Sequence, residues 1–554
     1  MAEQTANKQR WFAWFRWIWR AGVLMMLILF VGIVVPVIQN GRAIQKVQSL
    51  NPSYFGTKPG LLLESLPANW QSWLYNNLGD RLLPFETVID VGCEFNQGLD
   101  VLSDFKDLEE LSIHEESKIS DADLIHIKEL IKLKSLDLWG VHVGDAGLIY
   151  LRELTNLKEL DLSETQVSDA GLVHLQGLTN LQELHLSYTQ VSGIGLQHLS
   201  RLKKLEWLDL TGTQAINDAG LVHLKGLTNL KELTFYELEV SDSGLSHLTG
   251  LTSLEHIDLD FKNVTDVGVS NLKELSNLSS LYLHSSQITD AGLIHLSGLT
   301  NLTSLDLSNT QVSDVGLVHL KELTNLVELE LNETHVSDTG VSHLKRFTKL
   351  VKLDLGKTQV SDTGLIVLKE FTNLARLNLS ETQISNAGLI HLKGLTNLKI
   401  LELDGIQISD TGLSHLKELT KLEELESDFT NVTDAGLASL KRLTKLRWLK
   451  LYNSQIKGPG LIYLKEHPEL HGLYLGGSQV DDAGLVYLKE HVNLWTLSLA
   501  GTKVSDAGLI HLRGLKKLHR LDLRDTQVTA AGVEYLKKSL PKCRIEYNHV
   551  APSP

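Results

Sequence analysis

The stretch Thr165–Leu175, TQVSDAGLVHL, returns with small changes down most of the chain, and no other feature restricts the fold as much. Its glycine recurs at Gly147, Gly171, Gly195, Gly220, Gly244, Gly268 and Gly292 and so on to Gly532. The step is 24 residues, broken once by the 25 between Gly195 and Gly220. Asp123 holds the same place one unit earlier, which makes some eighteen copies, and Gly98 marks a degenerate first unit before them. A period of this length means stacking, because a single unit cannot bury its own apolar side chains.

One full unit reads LKELDLSETQVSDAGLVHLQGLTN (Leu157–Asn180). Leu160 and Leu162 alternate with polar residues, so a short strand sends both leucines to one side. Val167 closes the turn. Ser168–Asp169 is expected to cap a helical turn by accepting its unpaired N–H groups, and Leu172 and Leu175 face inward from that turn. Gly171 is expected to let the turn pack closely on its neighbour. The Thr165 place is Thr or Ser in most units, as in Thr189, Thr213, Ser286, Thr310 and Thr526, and its hydroxyl is expected to tie the turn to the next unit.

The pattern L-x-x-L-x-L-x-x-T-x-V-S-D-x-G-L-x-x-L over residues ~98–540 resembles the leucine-rich repeats. Within them it is similar to the cysteine-containing class of F-box proteins and bacterial reading frames, with Thr in place of Cys. The resemblance implies an α/β solenoid, a horseshoe or superhelix, with a parallel concave sheet and short helices outside. Trp73–Gly92 resembles the N-terminal cap of bacterial arrays, a short helix and then a first strand. Ser539–Tyr547, SLPKCRIEY, resembles their closing strand.

Residues 21–38, AGVLMMLILFVGIVVPVI, carry no charge and are about long enough to cross a ~30 Å hydrocarbon layer. Trp11, Trp14, Trp17 and Trp19 before them suit a membrane interface. Lys8, Arg10, Arg16 and Arg20 precede the span and Arg42 and Lys46 follow it, which keeps residues 1–20 cytoplasmic and the repeats outside. A cleaved signal peptide is the competing reading, against which the flank QNGRAIQKV offers no small-x-small site. The expected organisation is a basic aromatic tail (1–20), one N-terminal transmembrane helix (21–38), a juxtamembrane segment and cap (39–97), the repeat array (98–540), and a cap strand with a tail (541–554).

The formal charge of the chain is -15. With a net positive N-terminal segment, the body is more acidic still and shows no basic stripe, so a nucleic-acid surface is not expected. Cys93 and Cys543 stand at opposite ends of the array, too far apart to bridge.

Asp121, Asp145, Asp169, Asp218 and Asp242 recur two residues before the glycines, with Asn386 once, and capping accounts for them with Asn expected to serve equally well. A calcium ladder would need several oxygens converging on each ion, where the repeat offers one carboxylate per turn. His126, His174, His198 and their successors share a slot with Tyr150, Ser439 and Val367, which reads as a half-buried helix flank rather than a zinc site. No metal, cofactor or catalytic motif is expected.

Binding residues should break the repeat. The central strand column includes Asp137, Asp161, Asp209, Asp258, Asp306, Glu330 and Asp354, ten acids in all against the single base Lys450. Two readings stand: solvated members of an L-D-L template, or an acidic trough for a basic ligand. Aromatic residues gather in two runs, Tyr188, Trp207, Tyr236, Phe261 and Tyr282, then Phe429, Trp448, Tyr452 and Tyr474. They are either interface anchors or fillers between strands. The segments DFKNVTDVG (Asp260–Gly268) and DFTNVTDAG (Asp428–Gly436) suggest a block duplication that would carry a patch with it.

These features point to a membrane-anchored, extracytoplasmic, non-catalytic binding protein that takes a protein or other macromolecule, a basic one if the acidic column reads it. The competing readings are an intracellular adaptor of ubiquitin-ligase type and a passive envelope scaffold.

Overall fold

The computed structural model describes residues 99–548 apart from 114–116, 214–215, 236–239, 259–261 and 428–430, together with the backbone of two earlier strands, β1 (Tyr54–Pro59) and β2 (Glu86–Cys93). The apolar run 21–38 and most of the expected cap lie outside these residues. Among the described residues no helix is long and apolar enough to cross a membrane.

The chain divides into two compact units, Met1–Glu239 and Val240–Pro554. In the first, β1 pairs antiparallel with β2, which runs parallel to Glu110–Ile113. Parallel three-residue strands then follow coil by coil through Ser135–Asp137, Glu159–Asp161, Glu183–His185 and Trp207–Asp209 to Glu232–Thr234. In the second, the same ladder runs from His256–Asp258 to Arg544–Glu546. Leucine pairs with leucine across most rungs, so the register expected from the 24-residue step is kept.

Each coil buries one set of side chains. Leu157, Leu160, Leu162, Val167, Leu172, Leu175 and Leu178 are all 0% exposed. Full burial of such a side chain contributes about 1.5–3 kcal/mol, and only when coils lie above and below. Opposite each strand the chain makes a single turn of α-helix, such as Asp169–Leu172, or of 3-10 helix, such as Gly195–Leu199.

Three local readings change. Asp169 does not cap its own turn; the cap is Ser168, whose hydroxyl accepts from the Ala170 N–H. Each Asp instead reaches the next coil. The Asp145 carboxylate accepts the N–H groups of Ser168 (2.7 Å) and Gly171 (2.9 Å) and the Ser168 hydroxyl (2.6 Å). The pattern repeats at Asp290–Ser313, Asp314–Ser337 and Asp482–Ser505. This explains the glycine: a Cβ on Gly171 would sit 2.6 Å from Asp145 Oδ1.

Asn386 is not an equal substitute. Its amide oxygen accepts the Ser409 N–H at 2.9 Å, but the Ser409 hydroxyl makes no cap bond. The Thr slot, finally, serves its own coil. Thr165 Oγ1 donates to the Leu162 carbonyl three residues back at 2.6 Å, as Thr310 does to Leu307.

A fourth device went unread in the sequence. The Asn of each T-N-L donates to a carbonyl one coil earlier, Asn156 to Ile131, Asn180 to Thr155 and Asn301 to Ser276. Repeated Asn, Asp, Ser and Thr therefore spend their polar atoms within the scaffold.

Candidate binding site

The strand residues on either side of each buried leucine form the open face of the sheet, and alternate side chains there point away from the core. The central column is in register as expected: Asp137, Asp161, His185 and Asp209 in the first unit, and Tyr282, Asp306, Glu330 and Asp354 in the second, with Asp258 opposite Tyr282. Tyr236, Phe261 and Phe429 lie outside the described residues.

Five aspartates of this column are neither free nor simply solvated. They turn one oxygen back to the N–H two residues on: Asp137 to Trp139, Asp161 to Ser163, Asp209 to Thr211, Asp306 to Ser308 and Asp354 to Gly356, at 2.8–3.0 Å. This is the local side-chain turn that Asp makes readily, and here it ends the strand. The second oxygen is left to face outward or to meet a neighbour, as Asp137 meets the Ser112 hydroxyl.

In the second unit several acids of the face have cations beside them, although burial pushes the Asp354 carboxyl, and burial with repulsion from Glu426 the Glu424 carboxyl, above the ordinary range. Lys352 pairs with Glu330 at 2.6 Å and Arg376 with Glu402 at 2.7 Å. Lys450 pairs with Glu426 and lies 3.8 Å from Asp404. Arg524 takes Asp522 with two hydrogen bonds, holding that carboxyl below the usual range, and Arg520 reaches Glu546.

The first unit lacks this compensation. Among the described residues its ion pairs join Lys106 to Glu129, Lys132 to Asp107, Lys134 to Glu109 and Lys231 to Glu206, and none involves an acid of the strand face. Glu159, Glu183 and Glu232 stand there with Asp161 and Asp209, and Trp207 takes the rung between Glu183 and Glu232. Burial first, then repulsion from Glu159, Glu232 and Glu206, pushes the Glu183 carboxyl above its ordinary range, against a pull from His185. His185 meets the Trp207 ring edge-on, with centroids 4.6 Å apart. The buried Trp207 Nε1–H has no acceptor.

The aromatic residues separate into two kinds. Three lie against a glycine of the next coil. A Cβ on Gly212 would come within 2.5 Å of the Tyr188 ring, on Gly472 within 2.0 Å of Trp448, and on Gly476 within 3.1 Å of Tyr452. These fill space that a missing side chain leaves. Tyr188 is nonetheless 55% exposed and holds φ at +54°, a left-handed conformation that costs a bulky residue. Tyr452 and Tyr474 form a tilted pair at 5.7 Å. Trp207 lies on a rung whose next residue is Glu232, with no glycine beneath it.

The suspected duplication does not carry one patch to two places. The residues 168 positions after Tyr282 and His284 are Lys450 and Tyr452. Sequence reasoning also passed over the Glu column beside the aspartates, legible as the E of E-L-D, and Trp139, 41% exposed two residues after Asp137.

Elsewhere on the first unit, Lys132, Lys134, Lys158 and Lys204 line a depression of about 480 Å³ with Glu109, Asn156, Asn180 and Gln182. Lys132 and Lys134 are paired and Lys204 donates to Asn180, so the cations are largely engaged. Among the described residues no group of three or more His, Cys, Asp or Glu side chains is placed to hold a metal ion. Cys543 is buried and its thiol is pushed up to about 11, which leaves almost no thiolate at neutral pH.

A family model described as a leucine-rich repeat region matches residues 88–363, and a second leucine-rich-repeat model matches residues 514–537. No curated protein matches the sequence. Similar solved structures include an internalin from Listeria monocytogenes, 24% identical over 70% of this chain and 96% of its own, with a TM-score of 0.43. A leucine-rich-repeat protein of Leptospira interrogans is 21% identical over 76% and 91%, with a TM-score of 0.45. The Arabidopsis receptor kinase HAESA, solved with the peptide hormone IDA and a co-receptor, is 16% identical over 93% and 99%, with a TM-score of 0.41.

Proposed function

Because the chain is a leucine-rich-repeat protein, we propose that it is a non-catalytic binding protein whose ligand is a protein or peptide with basic side chains. The ligand lies on the open sheet face of the N-terminal unit, where Glu159, Glu183 and Glu232 surround Trp207. One observation carries this reading: among the described residues no ion pair involves an acid of that face, whereas Glu330, Glu402, Glu426 and Asp522 of the C-terminal unit each have one. Uncompensated charge on a sheet costs self-repulsion and is relieved by a partner of opposite sign. An indole ring between carboxylates suits a Lys or Arg side chain, with about 0.5–2 kcal/mol available from the ring.

The proposal includes the location. Residues 21–38 anchor the chain in a membrane with residues 1–20 on the cytoplasmic side and the repeats outside, on the strength of the apolar run and the charges flanking it.

Calorimetric titration of the full chain with a decalysine peptide at low salt tests the ligand chemistry. Saturable binding is expected, weakened about a hundredfold by combined Glu159→Gln, Glu183→Gln and Glu232→Gln. Binding that ignores these substitutions, or equal binding of decaglutamate, sinks the reading. Protease shaving of intact cells, followed with an antibody to the C-terminal tail, tests location: loss of signal is expected, and protection until lysis would move the repeats inside.

A further inference from the structure

Two successive coils of the C-terminal unit carry histidine where their neighbours carry an apolar core residue. The position held by Leu395, Leu419, Leu443 and Leu515 is held by His467 and His491. Both rings are interior, His467 at 0% exposed and His491 at 3%. His467 Nε2 lies 3.0 Å from the Leu440 carbonyl and Nδ1 lies 3.2 Å from that of Leu464. A neutral ring has one N–H, so it satisfies one of these at most. Neither ring nitrogen of His491 makes a well-formed hydrogen bond, although the His467 backbone carbonyl is near enough to favour its charged form.

The carboxylate bridge between coils is also missing here, as it is at Gly193 of the first unit. Gly458 stands in the Asp slot, and a Cβ on Gly484 of the next coil would meet its Cα at 2.4 Å. No carboxylate can bridge there. Ser454 and Ser478 occupy the Thr slot, and their buried hydroxyls have no partner.

Charged groups on the surrounding elements are few and face outward. Lys441 and Arg442 follow helix Asp434–Leu440; Lys465 and Glu466 end Gly458–Glu466; Asp482, Lys489 and Glu490 flank Asp482–Leu485; His511 and Arg513 close Gly508–Leu512. Of these, Glu466 bears on His467 and Glu490 on His491, both from exposed positions, and His467 bears on His491 more strongly, its charge lowering that imidazole and its backbone carbonyl raising it.

We propose that the coils from Gly458 to Leu494 form an acid-labile joint: neutral His467 and His491 let the stack close, and their protonation opens it. Opening takes apart the strand face of the same coils, where Tyr452 and Tyr474 pair.

Burial holds both imidazoles below their ordinary range, outweighing the pull of the Leu440 and Leu464 carbonyls on His467. For a base depressed in the folded state, nothing is lost while pH stays above the unfolded value of about 6.5. Below it, opened coils take up protons that closed coils refuse. Each histidine then favours opening about tenfold per pH unit, until the folded value is reached.

Hydrogen exchange of the full chain at pH 7.5 and 5.5, corrected for intrinsic rates, tests this. The opening equilibrium of coils 446–498 is expected to rise relative to coils 300–400 of the same unit, by at most about a hundredfold. Combined His467→Leu and His491→Leu, which restore the neighbours' residue, should abolish the difference, and each alone should leave a smaller effect. His467→Gln with His491→Gln separates charge from packing: looser coils with a flat pH response support the joint. A pH response that survives in either double variant, or one spread evenly along the unit, overturns it.

Discussion

The two units are built from the same coil and present different faces. Asp145 in the first and Asp314 in the second both take the N–H and the hydroxyl of the next coil's Ser, and Thr165 and Thr310 make the same bond to their own coil. On the open sheet the likeness ends. Lys352, Arg376 and Lys450 answer the acids of the second unit, while Glu159, Glu183 and Glu232 of the first have only Trp207 and His185 among them. The scaffold thus leaves the outward strand residues free to vary without touching the core. A face that departs from charge balance is then the place to look for a partner.

The comparison can be broken most sharply at what the units share. Asp145→Ala and Asp314→Ala should each cost about 2–3 kcal/mol, read as a fall in urea midpoint, because each leaves a Ser N–H and hydroxyl without their acceptor, and Asp145→Ala leaves the Gly171 N–H as well. A much smaller loss in one unit would mean that the coils are not equivalent. Asn386→Asp should run the other way, gaining about 1 kcal/mol by restoring the hydroxyl bond.

Stripping the cations from the second face with Lys352→Ser, Arg376→Ser and Lys450→Ser should create a second, weaker decalysine site, seen as a stoichiometry rising from one to two. A stoichiometry that stays at one would show that charge alone does not define the site. Trp207→Ala should weaken decalysine about fivefold while Trp448→Ala leaves it unchanged, since Trp448 lies on Gly472. The smallest effect concerns pH. Because the Glu183 carboxyl is raised, it loses its charge earlier than an ordinary Glu as pH falls. Affinity should therefore begin to drop at a higher pH in the wild type than in Glu183→Gln, by two- to threefold at most.

Much of this was legible in the sequence, for a physical reason. Burial repeats every 24 residues, so Leu160, Leu162 and Leu172 announce strand and turn wherever they recur, and the glycine column fixes the register. Polar roles were harder, because a side chain's nearest residues in sequence are not its nearest in space. Asp169 sits at a helix start and reads as its cap, yet its carboxylate bonds Ser192, 23 residues on. The Asn of T-N-L was missed for the same reason. For the candidate site, the residue types could be read but not their compensation. Glu183 and Glu330 look alike in sequence, and only the fold sets Lys352 beside the second. His467 and His491 could have been found by reading down the leucine column instead of along the histidine one.

The Asp that grips the next coil gives the array a direction. Most coils carry a plug on one side, the carboxylate, and a socket on the other, the Ser or Thr N–H and hydroxyl beside a bare glycine. A coil can therefore be copied or spliced in only if both parts keep step, which a block of 24 residues does and a block of 20 does not. A stack cut open on its socket side would bare N–H groups and a hollow shaped for a carboxylate, whereas one cut on its plug side would bare an Asp that water accepts readily.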